Sequence, residues 1–319
     1  MKTPAKISNI ELFSKTAKKL GLTVTPIPTE KNKNLCSISL GNKFYFLSSK
    51  APGFYPNAKR WGAHLTGSKQ LTQKMLTKLG YKTIRSNFLA PSAYTSFTAF
   101  FAQTQKVTKK FPVILKPDDG LDGRGIKYVA NNTVLKREMK TFYLKNTTVI
   151  IQPIITDPEY RILIINKKVE LVHSKDFRSI VGDGTQTIAS LLSHIPAKNL
   201  NVDFISMQYS LTGYTSTSIL PEGIQFPYHI VKDSSATHYQ YKSFPKALTS
   251  WANKLVTDLS IDTFAIDLFV KADLKDPSGY TIIELNSNPG LAHYYYACND
   301  TVQPDRICNK VLRTYFGLK

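Results

Sequence analysis

Apolar residues recur along the chain at two spacings, which separate helical from strand-forming stretches. Near the start, Ile10, Phe13, Ala17 and Leu20 follow one another at intervals of three or four and predict a helix over residues 7–20. The same spacing predicts helices over residues 68–79, 97–107, 133–144, 246–259 and 304–316. Short apolar or alternating runs bounded by turn-forming residues predict strands over residues 22–27, 35–40, 43–47, 111–115, 126–130, 148–153, 161–166, 168–174, 265–271 and 279–286. Residues 197–244 lack a clear period and are predicted to be mostly loops with scattered strands.

A glycine-rich segment, KPDDGLDGRGI at residues 116–126, follows the predicted strand over residues 111–115. Its glycines permit backbone conformations closed to other residues and let amide N–H groups approach an anion, while Lys116 and Arg124 supply positive charge. These glycines are Gly120, Gly123 and Gly125. The segment lacks the GK[ST] ending of a P-loop that opens a helix. By itself it fits either a phosphate-binding loop or a tight β-hairpin with surface charges.

Three oxygen-bearing side chains interrupt two apolar runs near the C-terminus. Asp267 lies within FAIDLFV, and Glu284 and Asn286 lie within IIELN. Because side chains alternate along a strand, Glu284 and Asn286 face the same way, and an antiparallel partner can place Asp267 beside them. Hard oxygen donors without a nearby His or Cys favour Mg²⁺, and an exposed sheet face is the alternative interpretation.

The composition is that of a globular chain with a basic balance. Hydrophobic residues make up 42% and charged residues 20%, which is unlike a disordered chain. Lys and Arg number 42 against 22 Asp and Glu, and the net charge of +20 favours acidic partners without choosing between nucleotide, nucleic acid and polyanionic substrate. The three cysteines form no CxxC pair and the six histidines no HExxH pattern, so neither a disulfide framework nor a zinc site is expected. Without a long apolar run or a signal peptide, the expected location is cytoplasmic.

Five segments, taken in order, resemble motifs of the ATP-grasp superfamily, most closely the modules of cyanophycin synthetase, bifunctional glutathione synthetase and D-alanine:D-alanine ligase. They are SKQLTQKML (68–76), PVILKPDDGLDGRGI (112–126), VIIQPII with EYRILII (149–165), VGDGTQTI (181–188), and FAID with IIELNSNPG (264–290). The resemblance implies an α+β ATP-grasp fold, in which two α+β lobes grip ATP between antiparallel sheets after a small α/β N-terminal lobe. The implied parts are residues 1–65 for the small lobe, 66–150 for the lobe with a glycine-rich lid, and 151–319 for the lobe with the magnesium site.

The resemblance also implies the site residues. Lys69 and Lys116 would contact the ATP phosphates, and residues 118–125 would close over them as a lid. Arg161 would act with Lys116 as a catalytic residue by stabilising the transferred phosphoryl group or a substrate carboxylate, with a salt bridge inside a β-hairpin as the alternative role. Glu159 would meet the ribose hydroxyls, and the backbone just before it would edge the adenine. The implied nucleotide-binding set is Lys69, Lys116, Asp119, Gly120, Gly123, Arg124, Gly125, Gln152, Pro153, Ile154, Ile155 and Glu159. The implied magnesium ligands are Asp267, Glu284 and Asn286.

The implied activity is ATP-dependent ligation of a carboxylate to an amine. Transfer of the γ-phosphate to the carboxylate gives an acyl phosphate, which the amine attacks to form an amide with release of phosphate and ADP. The implied cofactors are ATP and one or two Mg²⁺ ions, with Mn²⁺ as a substitute. The implied substrates are an amino acid or acidic-peptide carboxylate and an amine, handled by a stand-alone enzyme, with a homodimer as one arrangement. Neither a membrane nor a nucleic acid is an expected partner.

The resemblance is weakest at residues 230–241, where relatives of the cyanophycin synthetase kind carry a segment like NxSTGG and this chain has IVKDSSATHYQY. The missing glycine pair leaves the acceptor substrate unassigned. Two other classes remain open: a degenerate ATP-grasp nucleotide-binding or regulatory protein without ligase activity, and a nucleic-acid-binding protein that uses its positive charge.

Overall fold

The computed structural model describes residues 7–27, 35–48, 60–118, 120, 123, 125–240, 243–292 and 302–319, with residues 60, 198 and 233–240 described by their backbone. The helices in these ranges are α1 Asn9–Lys19, α2 Arg60–Thr66, α3 Lys69–Lys78, α4 Phe97–Val107, α5 Asn132–Leu144, α6 Ile188–Ser193, α7 Val202–Thr212, α8 Lys246–Leu259 and α9 Val302–Phe316. The strands are β1 Thr23–Pro26, β2 Leu35–Leu40, β3 Lys43–Ser48, β4 Asn87–Leu89, β5 Val113–Pro117, β6 Lys127–Val129, β7 Val149–Pro153, β8 Glu159–Ile165, β9 Lys168–Val181, β10 Gln225–Gln240, β11 Phe264–Val270 and β12 Tyr280–Asn286. They form sheets in the orders β1-β2-β3, β10-β9-β8-β11-β12 and β4-β7-β5-β6.

The first of two compact units combines Met1–Thr83, Asp157–Lys175 and Ser234–Lys319. Strands β8 and β11 lie inside its main sheet and β12 lies at its edge, and the alternating side chains of these strands build a core on each face. On one face, Leu163 and Ala265 join the cluster formed by α1, α9 and the three-stranded sheet. On the other face, Ile162, Ile164 and Ile266 pack with residues of α8. The sheet is therefore buried on both sides over much of its length.

The second unit combines Ile84–Thr156 and Asp176–Asp233. Its four-stranded antiparallel sheet shares a core with α4 and α5, in which Phe100, Leu115 and Met139 are fully buried. A separate cluster, centred on Ile188, Leu220 and Phe226, lies in the later segment of this unit. The three-part division at residues 65 and 150 is a different grouping and stays a prediction.

The predicted α+β composition is confirmed, and most element bounds fall within two residues of those predicted. The loop prediction for residues 197–244 is wrong, because α7 and β10 occupy much of this range. Helix α7 buries only Phe204 and Ile205, too few to create a helical period. Packing replaces the missing period, since the Phe204 ring lies 5.5 Å from that of Phe177 and 6.0 Å from that of Tyr128.

Two smaller differences also arise from packing. Helix α2 was not predicted; it is only seven residues long and is positioned by contacts with β12 and by a hydrogen bond from Trp61 Nε1 to the Leu259 carbonyl at 3.2 Å. Strand β9 continues to Val181, beyond the predicted end at residue 174. Across the described residues, no helix combines the length and the apolar character that crossing a membrane requires.

Candidate functional site

A row of charged and polar side chains crosses the main sheet of the first unit. Strand pairing places Arg161 of β8 opposite His173 of β9 on one side and Asp267 of β11 on the other. Asp267 in turn lies opposite Glu284 of β12. Directly paired residues on neighbouring strands project from the same face, so these four side chains form one cross-strand row. The antiparallel partner expected for β12 is therefore present, and it brings Asp267 beside Glu284.

Two cations hold a buried carboxylate, Asp267, and a half-buried one, Glu159, in the same part of this face. Arg161 donates from Nε and Nη2 to the two oxygens of Asp267, each at 2.6 Å, which is bidentate geometry. Lys175 donates from Nζ to Oδ2 of Asp267 at 3.1 Å and forms an ion pair with Oε1 of Glu159 at 2.6 Å. The Asp267 side chain is 2% exposed and that of Lys175 14%. With two negative and two positive groups, this ion-pair network is neutral.

The network shifts the pKa values of its members. Burial acts to raise the pKa of the Asp267 carboxyl, but Arg161 and Lys175 outweigh burial and hold this pKa well below its usual range. Burial acts to lower the pKa of the Lys175 ammonium, but Asp267 and Glu159 outweigh burial and raise it. The neighbouring His173 is fully buried, and its pKa is lowered to about 4, chiefly by that burial. At neutral pH Asp267 and Lys175 are thus ionised and His173 is neutral.

Strand β12 carries the other two predicted metal ligands. Asn286 lies two positions after Glu284 and therefore projects from the same face. Its Oδ1 accepts a hydrogen bond from the backbone N–H of Asn288 at 2.9 Å, which orients the side-chain amide. The Glu284 carboxylate makes no ion pair with the described residues, in contrast to Asp267. Of the two carboxylates, only Asp267 is already neutralised by cations of the chain.

The loop after β12 is fastened to α1 and α2. Asn9, the first residue of α1, accepts backbone N–H groups through Oδ1 from Leu291 and Ala292 at 2.6 and 2.7 Å. A Cβ at Gly290 would lie 2.9 Å from Nδ2 of Asn9, so the glycine of NSNPG allows this close approach. Thr66, at the end of α2, donates to Ser287 at 2.8 Å. These contacts fix the chain directly beyond Asn286.

The three predicted metal ligands have the chemical type that binds a divalent cation, but they are not equally available to one. Asp267, Glu284 and Asn286 offer the hard oxygens that Mg²⁺ prefers, and Mg²⁺ is commonly held by one or two carboxylates completed by phosphate oxygens. Three hydrogen bonds from Arg161 and Lys175 already occupy Asp267. No group of three or more His, Cys, Asp or Glu side chains suited to a metal occurs in the part of the chain that is described. Glu284 and Asn286 are thus the accessible donors, and Asp267 is shared with two cations.

Lys69 is the first residue of α3, which Ser68 caps through its side chain. Helix α3 packs against β12, and the chain following α3 is tied to the same strand by a hydrogen bond from Ile282 N–H to the Lys82 carbonyl at 2.9 Å. Lys69 is therefore carried by a helix that is fixed to the strand of Glu284.

Lys116 and the glycine-rich segment belong to the second unit. Lys116 lies in β5 opposite Ile150 of β7 and is 7% exposed. Gly120 follows at the end of this strand, where its N–H donates to the Pro117 carbonyl at 3.3 Å. The two other predicted loop residues, Asp119 and Arg124, lie outside the described residues.

Gly123 and Gly125 adopt positive φ angles of 70° and 78°, a region that favours glycine. Space is also restricted, because a Cβ at Gly123 would lie 2.7 Å from Val231 and a Cβ at Gly125 3.1 Å from Pro117. The segment between β5 and β6 thus requires glycine at both positions.

Gln152 of β7 uses its side chain inside the second unit. Its Nε2 donates to the Ser86 hydroxyl at 2.6 Å, and the residue is buried. The next residues of the predicted adenine strand are more accessible, since Pro153 is exposed and Ile154 and Ile155 are half-buried.

The VGDG motif has a structural explanation within the second unit. The Asp183 carboxylate accepts the N–H groups of Thr185 and Gln186 at 2.9 and 2.8 Å, which hold its pKa well below its usual range. Gly182 exchanges backbone hydrogen bonds with Ile224 and Gly223 at 2.8 and 2.9 Å. The motif thus forms a tight backbone contact within the second unit.

Lys175 was missed by the sequence analysis. The predicted strand ends at residue 174, one residue before this lysine, and Lys175 belongs to none of the five motifs. No local signal gave this pairing: the register set by the turn pairs Glu159 with Ser174, and an irregularity between Leu163 and Ile164 shifts Lys175 opposite Glu159.

The chain is similar to known proteins in sequence and in fold. No family model matches the chain. The chain is 23% identical over 274 residues to the glutathione biosynthesis bifunctional protein GshAB of Streptococcus thermophilus, covering 78% of this chain and 35% of that protein. It is 21% identical over 252 residues to cyanophycin synthetase of Trichormus variabilis, covering 72% of this chain and 27% of that protein. The chain thus spans about a third or less of the length of these curated relatives.

Among solved structures, the bifunctional glutathione synthetase from Pasteurella multocida superposes with a TM-score of 0.58 at 16% identity, covering 97% of this chain and 43% of that chain. The predicted α+β ATP-grasp fold is confirmed. The resemblance stated from the motifs is confirmed as well, since glutathione-synthesising proteins and cyanophycin synthetases are among the proteins to which this chain is similar.

Proposed function

We propose that this chain is an ATP-dependent ligase that joins a carboxylate to an amine through an acyl phosphate and releases ADP and phosphate. The observation that carries the proposal is the cross-strand row of Arg161, Asp267 and Glu284, within a fold shared with a glutathione synthetase. The names of the relatives, glutathione biosynthesis and cyanophycin synthesis, support this class of reaction.

Cationic side chains bind the phosphates in this proposal. Lys69 and Lys116 contact phosphate oxygens, and the segment from residue 118 to residue 125, with Asp119 and Arg124, covers them. Backbone groups of residues 153–155 edge the adenine. One oxygen of Glu159 is paired with Lys175, and the other accepts a ribose hydroxyl.

Arg161 supplies a positive charge that is held in a fixed orientation. Its bidentate hydrogen bonds to Asp267 fix the plane of the guanidinium group. The group is therefore already oriented to bind the transferred phosphoryl oxygens or the substrate carboxylate. Arg161 does form a salt bridge, as in its alternative role. Its partner is Asp267, however, so this salt bridge joins β8 to β11 and lies outside the hairpin of β8 and β9. Positioning and charge stabilisation suffice for phosphoryl transfer, and no side chain has to act as nucleophile.

One or two Mg²⁺ ions, with Mn²⁺ as a substitute, would be held by Glu284 and Asn286 together with Asp267, and would neutralise charge on the phosphates. The substrates fit an amino acid or acidic peptide with an amine acceptor, since the net charge of +20 favours anionic ligands. A cytoplasmic location and a homodimer complete the proposal.

The test is Mg²⁺-dependent ADP release with a panel of amino acids and short peptides offered as carboxylate and amine pairs. Lys116→Met and Glu284→Gln are each expected to lower kcat by at least about 100-fold, because each removes one charge that acts on the phosphates. Lys254→Met and Glu222→Gln are the matched controls, since both residues are exposed and neither belongs to the proposed site. Near-normal ADP release by either site variant would contradict the assignment.

A second function, nucleotide binding without ligation, is favoured by one specific observation. Asp267 is already neutralised by Arg161 and Lys175, as expected for a carboxylate that serves structure instead of metal binding. ATP binding in calorimetry without ADP release across the whole panel would support this function and overturn the ligase.

A further inference from the structure

Lys175 occupies a position where a cation bridges two carboxylates. Its Nζ lies 2.6 Å from Oε1 of Glu159 and 3.1 Å from Oδ2 of Asp267. The side chain reaches from β9 across β8 to β11, and all three side chains are nearly buried. An ammonium group therefore already fills the most acidic part of the sheet face.

The charges next to Asp267 oppose a second cation. A divalent ion on an Asp267 oxygen would lie beside the Arg161 guanidinium and the Lys175 ammonium, and the repulsion between like charges is large where water is excluded. The ion-pair network of these four groups is neutral, so Glu284 alone is left to attract a cation. Phosphate oxygens change this balance, because they add negative charge and further ligands on the same face.

We propose that Lys175 is a built-in counterion, which keeps a divalent cation from binding at Asp267 and Glu284 until a nucleotide supplies phosphate. Lys175 is a positioning residue in this scheme: it holds Asp267 and Glu159 and sets the order in which the cation and the nucleotide bind. The inference rests on the proposed function for the location of the nucleotide, and its test uses the metal alone.

The experiment titrates Mn²⁺ into the nucleotide-free protein and measures free Mn²⁺ by electron paramagnetic resonance. The unsubstituted chain is expected to bind Mn²⁺ weakly. Lys175→Met removes the ammonium and leaves Glu159, Asp267 and Glu284 against Arg161, so Mn²⁺ is expected to bind at least about tenfold more tightly. In parallel, Mg²⁺ alone is expected to raise the Tm of this variant and to leave that of the unsubstituted chain unchanged.

Two further variants control for charge. Combining Lys175→Met with Glu159→Gln restores the charge balance of the unsubstituted chain and is expected to abolish the gain. Lys310→Met is the matched control, because Glu170 is a buried carboxylate held by Arg306 and Lys310 in the same way as Asp267 is held by Arg161 and Lys175. A gain of Mn²⁺ binding in Lys310→Met would show a general effect of losing a lysine and would overturn the proposal.

The proposal is also overturned if Lys175→Met binds Mn²⁺ no more tightly than the unsubstituted chain. Should that variant not fold without metal, Lys175→Gln, which keeps a hydrogen-bond donor, takes its place, and folding that depends on added Mg²⁺ supports the proposal. If neither variant folds under any condition, the unsubstituted chain decides, with the Mn²⁺ that ADP binds in protein-free solution subtracted. Equal Mn²⁺ affinity of the protein with and without ADP then overturns the proposal, and a gain of about tenfold or more with ADP supports it. The Mn²⁺ titrations can be interpreted even if the ligase assay shows no ADP release. The ligase proposal and the Lys175 proposal can therefore fail independently of each other.

Discussion

At the scale of single residues, the buried ion pair of Arg161 and Asp267 calls for a reason other than stability. Removing a guanidinium and a carboxylate from water costs several kcal/mol per ion, and their attraction often does no more than offset it. Apolar residues at these positions would fit the surrounding sheet, which is formed by Ile162, Leu163 and Ile266. A chain that keeps the charges instead is consistent with their use in binding and phosphoryl transfer.

His173 makes the stability of the folded chain depend on pH, and this dependence can be measured. Its pKa is about 4 in the folded chain, mainly because of burial, and about 6.5 when unfolded. Between these values the unfolded state binds more protons than the folded state, so stability falls as the pH falls from about 6.5 to 4. The loss is expected to reach about 3 kcal/mol, and His173→Gln is expected to remove it.

Urea unfolding at pH 7 and pH 4.5 checks this expectation. His194→Gln is the control, because His194 is exposed at the end of α6. An equal loss of stability on acidification in His173→Gln and in the unsubstituted chain would refute the role of His173.

The placement of Asp267 beside Glu284 and Asn286 was predictable because it depends on local rules. Alternation along a strand places Glu284 and Asn286 on one face, and the apolar runs around Asp267 fix its strand without any knowledge of distant residues. The pairing of Asp267 with Arg161 and Lys175 depends instead on the register between strands about a hundred residues apart, which no local pattern specifies.

At the scale of elements, periodicity decides what the sequence reveals. Helix α8 runs over its predicted bounds because its apolar residues form one continuous stripe that packs against the main sheet. Strand β10 lies at the end of the five-stranded order and is rich in Ser, Thr and His, so ladder hydrogen bonds rather than an apolar pattern define it. The sequence therefore predicts helices and strands that carry a continuous buried apolar stripe. It does not predict those that depend mainly on contacts with neighbouring elements.

The VGDG turn provides a prediction at this scale. A Cβ at Gly182 would collide with the backbone carbonyl oxygens of Leu220 and Pro221, which no rotamer change can relieve. Gly182→Ala is therefore expected to destabilise the chain by about 2 kcal/mol or more. Gly213→Ala is the matched control: Gly213 has a positive φ at the end of α7 but open space around it, so strain of about 1 kcal/mol is the only cost expected.

Chemical denaturation of both glycine variants measures the difference. Similar losses would mean that the contact with residues 220–221 relaxes easily, and the structural explanation of VGDG would then be wrong.

At the scale of the whole molecule, the chain forms two compact units, and each unit is built from segments that are not contiguous in the sequence. The first unit needs three separate segments, and the boundary at Lys175 and Asp176 falls inside β9. Motifs that follow one another in the sequence, such as EYRILII and VGDGTQTI, therefore belong to different units. Their order identified the fold, but only strand pairing and packing assign each motif to its unit.

The net charge of +20 leads to the last prediction, which concerns the whole surface. Cationic groups spread over a protein raise the rate at which an anionic ligand arrives, and salt removes this effect as the screening length falls from about 10 Å at 0.1 M to about 3 Å at 1 M. The association rate of a fluorescent ADP analogue, measured by stopped flow, is expected to fall about tenfold between 50 and 500 mM NaCl. A fluorescent adenosine analogue without phosphates serves as the control and should bind at a rate that salt leaves unchanged. If both analogues respond alike, the positive charge does not act on the phosphates, and a surface used for another acidic partner becomes the better explanation of the composition.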